Sequence, residues 1–328
     1  MALAKSNPDL LEPWAHFIAI TGSAADRGNK RVSEWLWAIF TVLAAGGQTL
    51  RNAMQKELTV TLGTVGATHV RFLFGLPFGL LFLALALLAT GQPLPQLNAA
   101  MVAWTASSAI AQICGTALLL AAMRERSFVV TITLSKTEPV QVAVFGLAFL
   151  GDQLSLGLVT AILIATVGVV MMSWPQRSVA ATLSWQSAAL GIASGAMFAL
   201  AAVGFRGGIM ALEADNFVLA ASTTLALGLI IQTLVLSLYL FVAERENLIA
   251  IFRAWRPSLT AGFMGAFASQ MWFLAFAVES AAKVRTLGLV EILFAQVVSR
   301  QMFKQNLASR EAIGIGLIVV GVVLLLNV

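Results

Sequence analysis

The sequence predicts an all-α integral membrane protein of about ten transmembrane helices, arranged as two inverted five-helix repeats. Three observations carry this expectation. Apolar runs long enough to cross a bilayer recur along the whole chain, charged residues are scarce, and a shift of 153 residues lays the carboxylate of Glu138 onto that of Glu291. The 328 residues are 59% hydrophobic and 11% charged, whereas soluble domains carry about 25% charged residues. With a mean hydropathy of +0.89, water cannot be the solvent for most of this surface.

Residues 1–33 form a polar amino-terminal tail. Lys5, Asp9, Glu12, Asp26, Arg27, Lys30 and Arg31 make it too polar for the apolar core of a cleavable signal peptide. Within it, Leu10 to Ile20 has the composition of a short interfacial helix or of a disordered stretch. Residues 34–175 hold the first repeat, with spans near Trp35 to Met54, His69 to Leu88, Met101 to Met123, Phe128 to Leu150 and Leu156 to Trp174. Residues 176–328 hold the second, with spans near Ala188 to Gly207, Phe217 to Val242, Pro257 to Val278, Thr286 to Phe303 and Glu311 to Leu326.

Turn residues punctuate these runs: Gly91-Gln92-Pro93-Leu94-Pro95 after the second span, Trp174-Pro175 after the fifth, and Trp255-Arg256-Pro257 before the eighth. Between Glu244 and Arg256, arginines alternate with Leu248, Ile249, Ile251, Phe252 and Trp255, the pattern of an interfacial helix. The 153-residue shift also superposes Val144 on Val297, Leu154 on Leu307, Ile162 on Ile315, and Val167-Gly168-Val169-Val170 on Val320-Gly321-Val322-Val323. An odd number of spans in each half makes successive halves enter the membrane from opposite sides. Inverted repeats of this kind place binding sites at their interface near the midplane.

The net charge of +5 is spread over helix ends rather than gathered on a basic domain, so anionic lipid headgroups are the expected partner and nucleic acid is not. Cys114 is the only cysteine, which rules out a disulfide within the chain. Two histidines, His16 and His69, cannot build a metal centre, and no cofactor is expected.

Ionisable groups in a bilayer cost a few kcal/mol and so face a bundle interior or a wet cavity. Glu138 lies midway along the fourth span, and helical spacing puts Thr131, Ser135 and Glu138 on one face with Gln141 a turn on. Pro139 deprives the Ser135 carbonyl of its helical partner, a helix break that needs polar company. This cluster could bind a substrate ammonium or a proton, or be a kink whose polar groups satisfy one another.

Lys136 cannot face Glu138 on a regular helix, so it snorkels, pairs with a carboxylate on another helix, or takes a substrate carboxylate. Glu291 lies on a helix expected to run without a marked kink, followed by Gln296, Ser299 and Arg300 and preceded near the boundary by Lys283 and Arg285. Arg71 opens the second span and either snorkels or binds an anion. Arg51 and Arg206, each ending the first helix of its half, are read as complements of the helix dipole. Gln112 and Gln270, mid-span in the third and eighth helices, either bond helices together or line a cavity.

Taken together, Glu138-Pro139, Gly151-Asp152-Gln153-Leu154, Gly168-Val169, Arg71-Phe72 and the second-half Glu291, Leu307 and Gly321-Val322 resemble the EamA type of the drug/metabolite transporter superfamily. The resemblance covers roughly residues 35–326, and departs from the pattern at Ile292, where proline is expected, and at Lys304-Gln305-Asn306.

It implies a multi-pass protein of the plasma or inner membrane that moves a small polar or amphipathic metabolite such as an amino acid, frequently outward. Proton coupling through Glu138 or Glu291 is open to such a carrier. It also implies that both termini are cytoplasmic, against a Lys and Arg count of seven on the amino-terminal side and ten on the other. The competing readings are a facilitated exchanger of another metabolite class, an intramembrane enzyme built on Ser135, Lys136 and Glu138, and a channel. Oligomeric state leaves no mark on the sequence.

Overall fold

The computed structural model describes residues 27–122, 133–173, 185–294, 296 and 309–328. Residues 1–26, the start of the fourth span with Thr131, the Trp174-Pro175 boundary, and Ser299, Arg300 and Lys304 lie outside the described residues. Every element among those described is helical.

Helix α1 (Arg27–Leu73) is broken at Gly63, whose φ of 62° only glycine adopts cheaply. The first span therefore runs past the expected Met54, and the second begins at Val65 rather than His69. Ahead of Pro77, which has no amide proton to donate, the chain turns at Phe74-Gly75 and continues as α2 (Leu76–Thr90). Gly91, at φ 63°, caps α2 by donating its amide to the Leu87 carbonyl, as its place in the turn signal predicts.

Helix α3 (Ala99–Ala122) follows. Next come α4 (Glu138–Phe145), which loosens into a π turn over Gly146–Leu150, and α5 (Leu156–Ser173). The second half supplies α6 (Trp185–Ala211), α7 (Phe217–Ala243), the short amphipathic α8 (Arg245–Arg253), α9 (Trp255–Val278), α10 (Ala281–Leu287) and α11 (Ser309–Leu326).

Seven described stretches are long and apolar enough to cross a membrane, against the ten expected. The first helix is not among them because Gln48, Thr49, Arg51 and Asn52 crowd its middle, and the fourth and ninth spans are only partly described. Packing is dominated by three helix pairs: α3 with α6, α1 with α9, and α5 with α11. Small residues let backbones meet in these pairs. A Cβ on Gly168 of α5 would stand 2.7 Å from the Gly314 carbonyl oxygen and 2.9 Å from the Ile318 nitrogen. One on Gly321 of α11 would stand 2.7 Å from the Ala165 nitrogen, so the two helices run antiparallel. Leu88, Leu234, Leu238 and Val242 point outward, as a lipid solvent allows.

Arg206 does more than complement a dipole. Its Nη1 lies 2.6 Å from Asp152 Oδ1 and its Nε donates to the Glu279 carbonyl at 3.0 Å, so it ties the Gly-Asp turn to α6 and to the end of α9. Both side chains are largely buried, and removing one partner of such a pair costs about 3 kcal/mol. Asp152→Asn is accordingly expected to lower the Tm of the detergent-solubilised protein by roughly 5 °C or more, read by intrinsic fluorescence.

Candidate functional site

The proline break is where the sequence puts it. Residues 133–135 are helical, Lys136 and Thr137 form a turn closed by Lys136 N–H to Thr133 O (3.2 Å) and Thr137 N–H to Leu134 O (3.1 Å), and α4 restarts at Glu138. Ser135 is buried. Its carbonyl, which Pro139 cannot bond, faces Gly195 of α6, where a Cβ would stand 3.1 Å away.

The ninth span corrects the expectation of an unkinked helix. After α10 the backbone tightens into a 3-10 turn over Gly288–Val290, directly before Glu291. No proline causes this. Gly288 leaves room for the Trp272 ring, which occupies the place a Cβ would need. Both carboxylates thus follow immediately on a local departure from α-geometry, and the 153-residue shift carries Ser135 onto Gly288.

These two irregular turns bring four charges together. Lys136 Nζ lies 2.6 Å from Glu291 Oε1. Arg285 grips Glu138 with two donors, Nε to Oε1 at 2.7 Å and Nη2 to Oε2 at 2.8 Å. In each pair the carboxylate comes from one half of the chain and the cation from the other. Gln48 of α1 donates to the second oxygen of Glu291 and accepts from Trp272 Nε1 at 3.1 Å, while the Trp272 ring lies 4.7 Å beneath the Arg285 guanidinium. Lys136, Glu138, Pro139, Arg285, Gly288, Leu289 and Glu291 line a cleft with about 10 Å³ of free space, at most one water. A larger hollow of about 430 Å³ lies beside Thr137, Val170, Met171 and Arg310, but it holds none of these four charges.

The remaining expected residues scatter. Gln112 accepts from Gln232 of α7 at 2.6 Å, and Gln270 donates to Ser222 of the same helix at 3.0 Å, so both bond helices together away from the four charges. Gln141 turns toward α6, reaching the Ile192 carbonyl at 3.4 Å, and does not join Glu138. Gln296 makes a long contact to Glu311 at 3.5 Å. Arg71 is not at a span boundary: it lies within Val65–Thr90, its stem packed against Gly265 of α9 and its Nε buried.

Sequence reading missed Arg285, Gln48 and Trp272 as neighbours of the carboxylates. Arg285 stands six residues before Glu291, which suggested a membrane boundary. No signal in the sequence singled it out, because Arg51 and Arg71 were equally available as cations for the two intramembrane carboxylates.

A carboxylate and a cation drawn from opposite halves can hold two bundles together, exchange partners with a charged ligand, or release a proton site when they part. Residues 27–174 match the model of the EamA-like transporter family, in agreement with the drug/metabolite transporter resemblance. No curated protein matches the chain. Among solved structures, one crystal structure of a protein is 13% identical, aligned over 89% of this chain and 97% of that one, with a TM-score of 0.64. At that identity the likeness shows a shared fold. With seven helices among the described residues long and apolar enough to cross a membrane, and with this family match, the chain is an integral multi-pass membrane protein.

Proposed function

We propose that this protein, which matches the EamA-like transporter family over residues 27–174, is a secondary transporter that exports a small polar or amphipathic metabolite, such as an amino acid, by alternating access. The observation that carries the reading is the crossed pairing of Glu138 with Arg285 and of Glu291 with Lys136. Each pair is made across the two halves. Rocking one half against the other must therefore open both, and the cleft they close is too small for any metabolite until they part.

Inversion of two five-span repeats is supported by the contact between α5 and α11. The shift of 153 carries Gly168 onto Gly321 and Ala165 onto Ile318, so the Gly168 to Ile318 contact becomes the observed contact of Gly321 with Ala165. Exchange of the halves leaves this interface unchanged, which an internal two-fold axis between antiparallel helices requires. Ten spans then return both termini to one side, the cytoplasmic one on the family's pattern. The reading is of a carrier rather than an enzyme: Lys136 is held by Glu291 and is not placed as a base for Ser135.

Proton coupling belongs to the same proposal: parting of the halves would free both carboxylates from their cations, which makes Glu138 and Glu291 the groups to test. Counterflow of labelled metabolites into proteoliposomes tests the proposal. Wild type is expected to exchange substrate and to respond to an imposed pH gradient, and Glu138→Gln with Glu291→Gln is expected to remove the pH response. Unchanged pH-driven uptake in that double variant would show that neither carboxylate couples protons.

A further inference from the structure

Beside the two ion pairs stand two more cations that form no ion pair with a carboxylate among the described residues. Arg51 is one turn beyond Gln48 on α1, on the same face, and is 6% exposed. Among the described residues its guanidinium donates only to the neutral Asn52 Oδ1, at 2.7 Å from Nη2 and 3.3 Å from Nε. Arg71 has a buried Nε with no acceptor among the described residues, and its guanidinium lies 5.1 Å from the ring of its neighbour Phe72.

Both stems converge on Gly265 of α9. A Cβ there would stand 3.2 Å from Arg71 Cγ and 3.5 Å from Arg51 Cδ. Arg285 lies within electrostatic reach of both arginines, and Glu291 within reach of Arg51, so this pair adjoins the charged cleft. Among the described residues four cations, Lys136, Arg285, Arg51 and Arg71, thus face two carboxylates, and two positive charges remain over.

Uncompensated guanidinium groups inside a bilayer are costly and are kept where they bind something. In this conformation both carboxylates are held by cations whereas the two arginines meet no carboxylate among the described residues, so the groups left for a ligand select for negative charge. We propose that Arg51 and Arg71 form an oxyanion-binding subsite of the transport site, and that the substrate is a compact organic anion bearing carboxylate or phosphate groups. This rests on the transporter reading and narrows its substrate class. Arginine suits the task because its planar fork meets a carboxylate or phosphate with two parallel hydrogen bonds.

The test uses the full chain in phosphatidylcholine nanodiscs at low chloride, with Tm as readout and succinate, inorganic phosphate, alanine and succinamide as probes. Succinate or phosphate is expected to raise Tm by roughly 3 °C or more, and succinamide and alanine to leave it in place. Arg71→Met and Arg51→Met should each abolish the rise while raising the Tm of the ligand-free protein, and Arg71→Lys should retain part of the rise.

The proposal is overturned if neither anion shifts Tm, if succinamide shifts it equally, or if the rise persists in Arg71→Met or, should that variant not fold, is undiminished in Arg71→Lys. It is also overturned if phosphatidylglycerol discs raise Tm and erase the succinate effect, since the subsite would then hold a lipid headgroup. Failure of the transporter reading is separable: an Arg71-dependent succinate shift without flux in proteoliposomes leaves the subsite standing and removes transport. Flux of alanine with no anion effect does the reverse.

Discussion

Arg285→Gln is expected to cut transport about 100-fold and to destabilise the protein, whereas Glu138→Gln combined with Arg285→Gln regains the stability and not the transport. The reason lies in what each change leaves behind. Removing one partner of a buried pair strands the other charge and costs about 3 to 5 kcal/mol, while replacing both partners by neutral groups is often close to neutral. Stability should therefore follow charge balance, and transport should follow the presence of a pair that can open and re-form.

The same change at the other pair is milder. Lys136 is 29% exposed against 20% for Arg285, and Gln48 still holds Glu291 when the lysine is gone. Lys136→Met should thus lose less stability than Arg285→Gln. Thermal unfolding in detergent and counterflow in proteoliposomes, run on the same preparations, separate the two quantities. Recovery of transport in the neutral double variant would refute the part assigned to the pair.

The second large effect is expected at the seam between α5 and α11. In Gly168→Ala the added methyl would stand 2.7 Å from one backbone oxygen and 2.9 Å from a backbone nitrogen, and neither can swing aside as a side chain would. The helices must separate along their length, which forfeits close contacts on both sides and costs about 2 kcal/mol or more. Gly321→Ala should cost a comparable amount, because it meets the Ala165 nitrogen at 2.7 Å in the exchanged contact.

Gly316→Ala on the same helix provides the comparison. Nothing lies within 4 Å of a Cβ there, so the gain in helix propensity, about 1 kcal/mol, should leave the protein unchanged or slightly steadier. If all three variants melted alike, the antiparallel seam would not be what holds α5 to α11.

Much of the fold was legible because its determinants are local. Gly91 and Gly151 end helices in the left-handed conformation where the turn residues stand, and Pro139 interrupts the fourth span where its missing donor requires it. The break before Glu291 was not legible. It depends on Gly288 yielding space to Trp272, a residue sixteen positions away on another helix. Nor does the sequence tell that the Gln48, Thr49, Arg51 and Asn52 that depress the apolar character of the span near Trp35 to Met54 face or adjoin the charges.

By itself the sequence determined the solvent, the apolar helical runs and the identity of the two intramembrane carboxylates. These follow from composition, from runs of fixed length and from backbone restrictions, none of which needs a neighbour. Only the tertiary structure decided the partners: Arg285 for Glu138, Lys136 for Glu291, and no carboxylate among the described residues for Arg51 and Arg71. Pairing is set by which helix faces meet, and in a bilayer that choice rests on close packing of small residues, which reads alike in every apolar span.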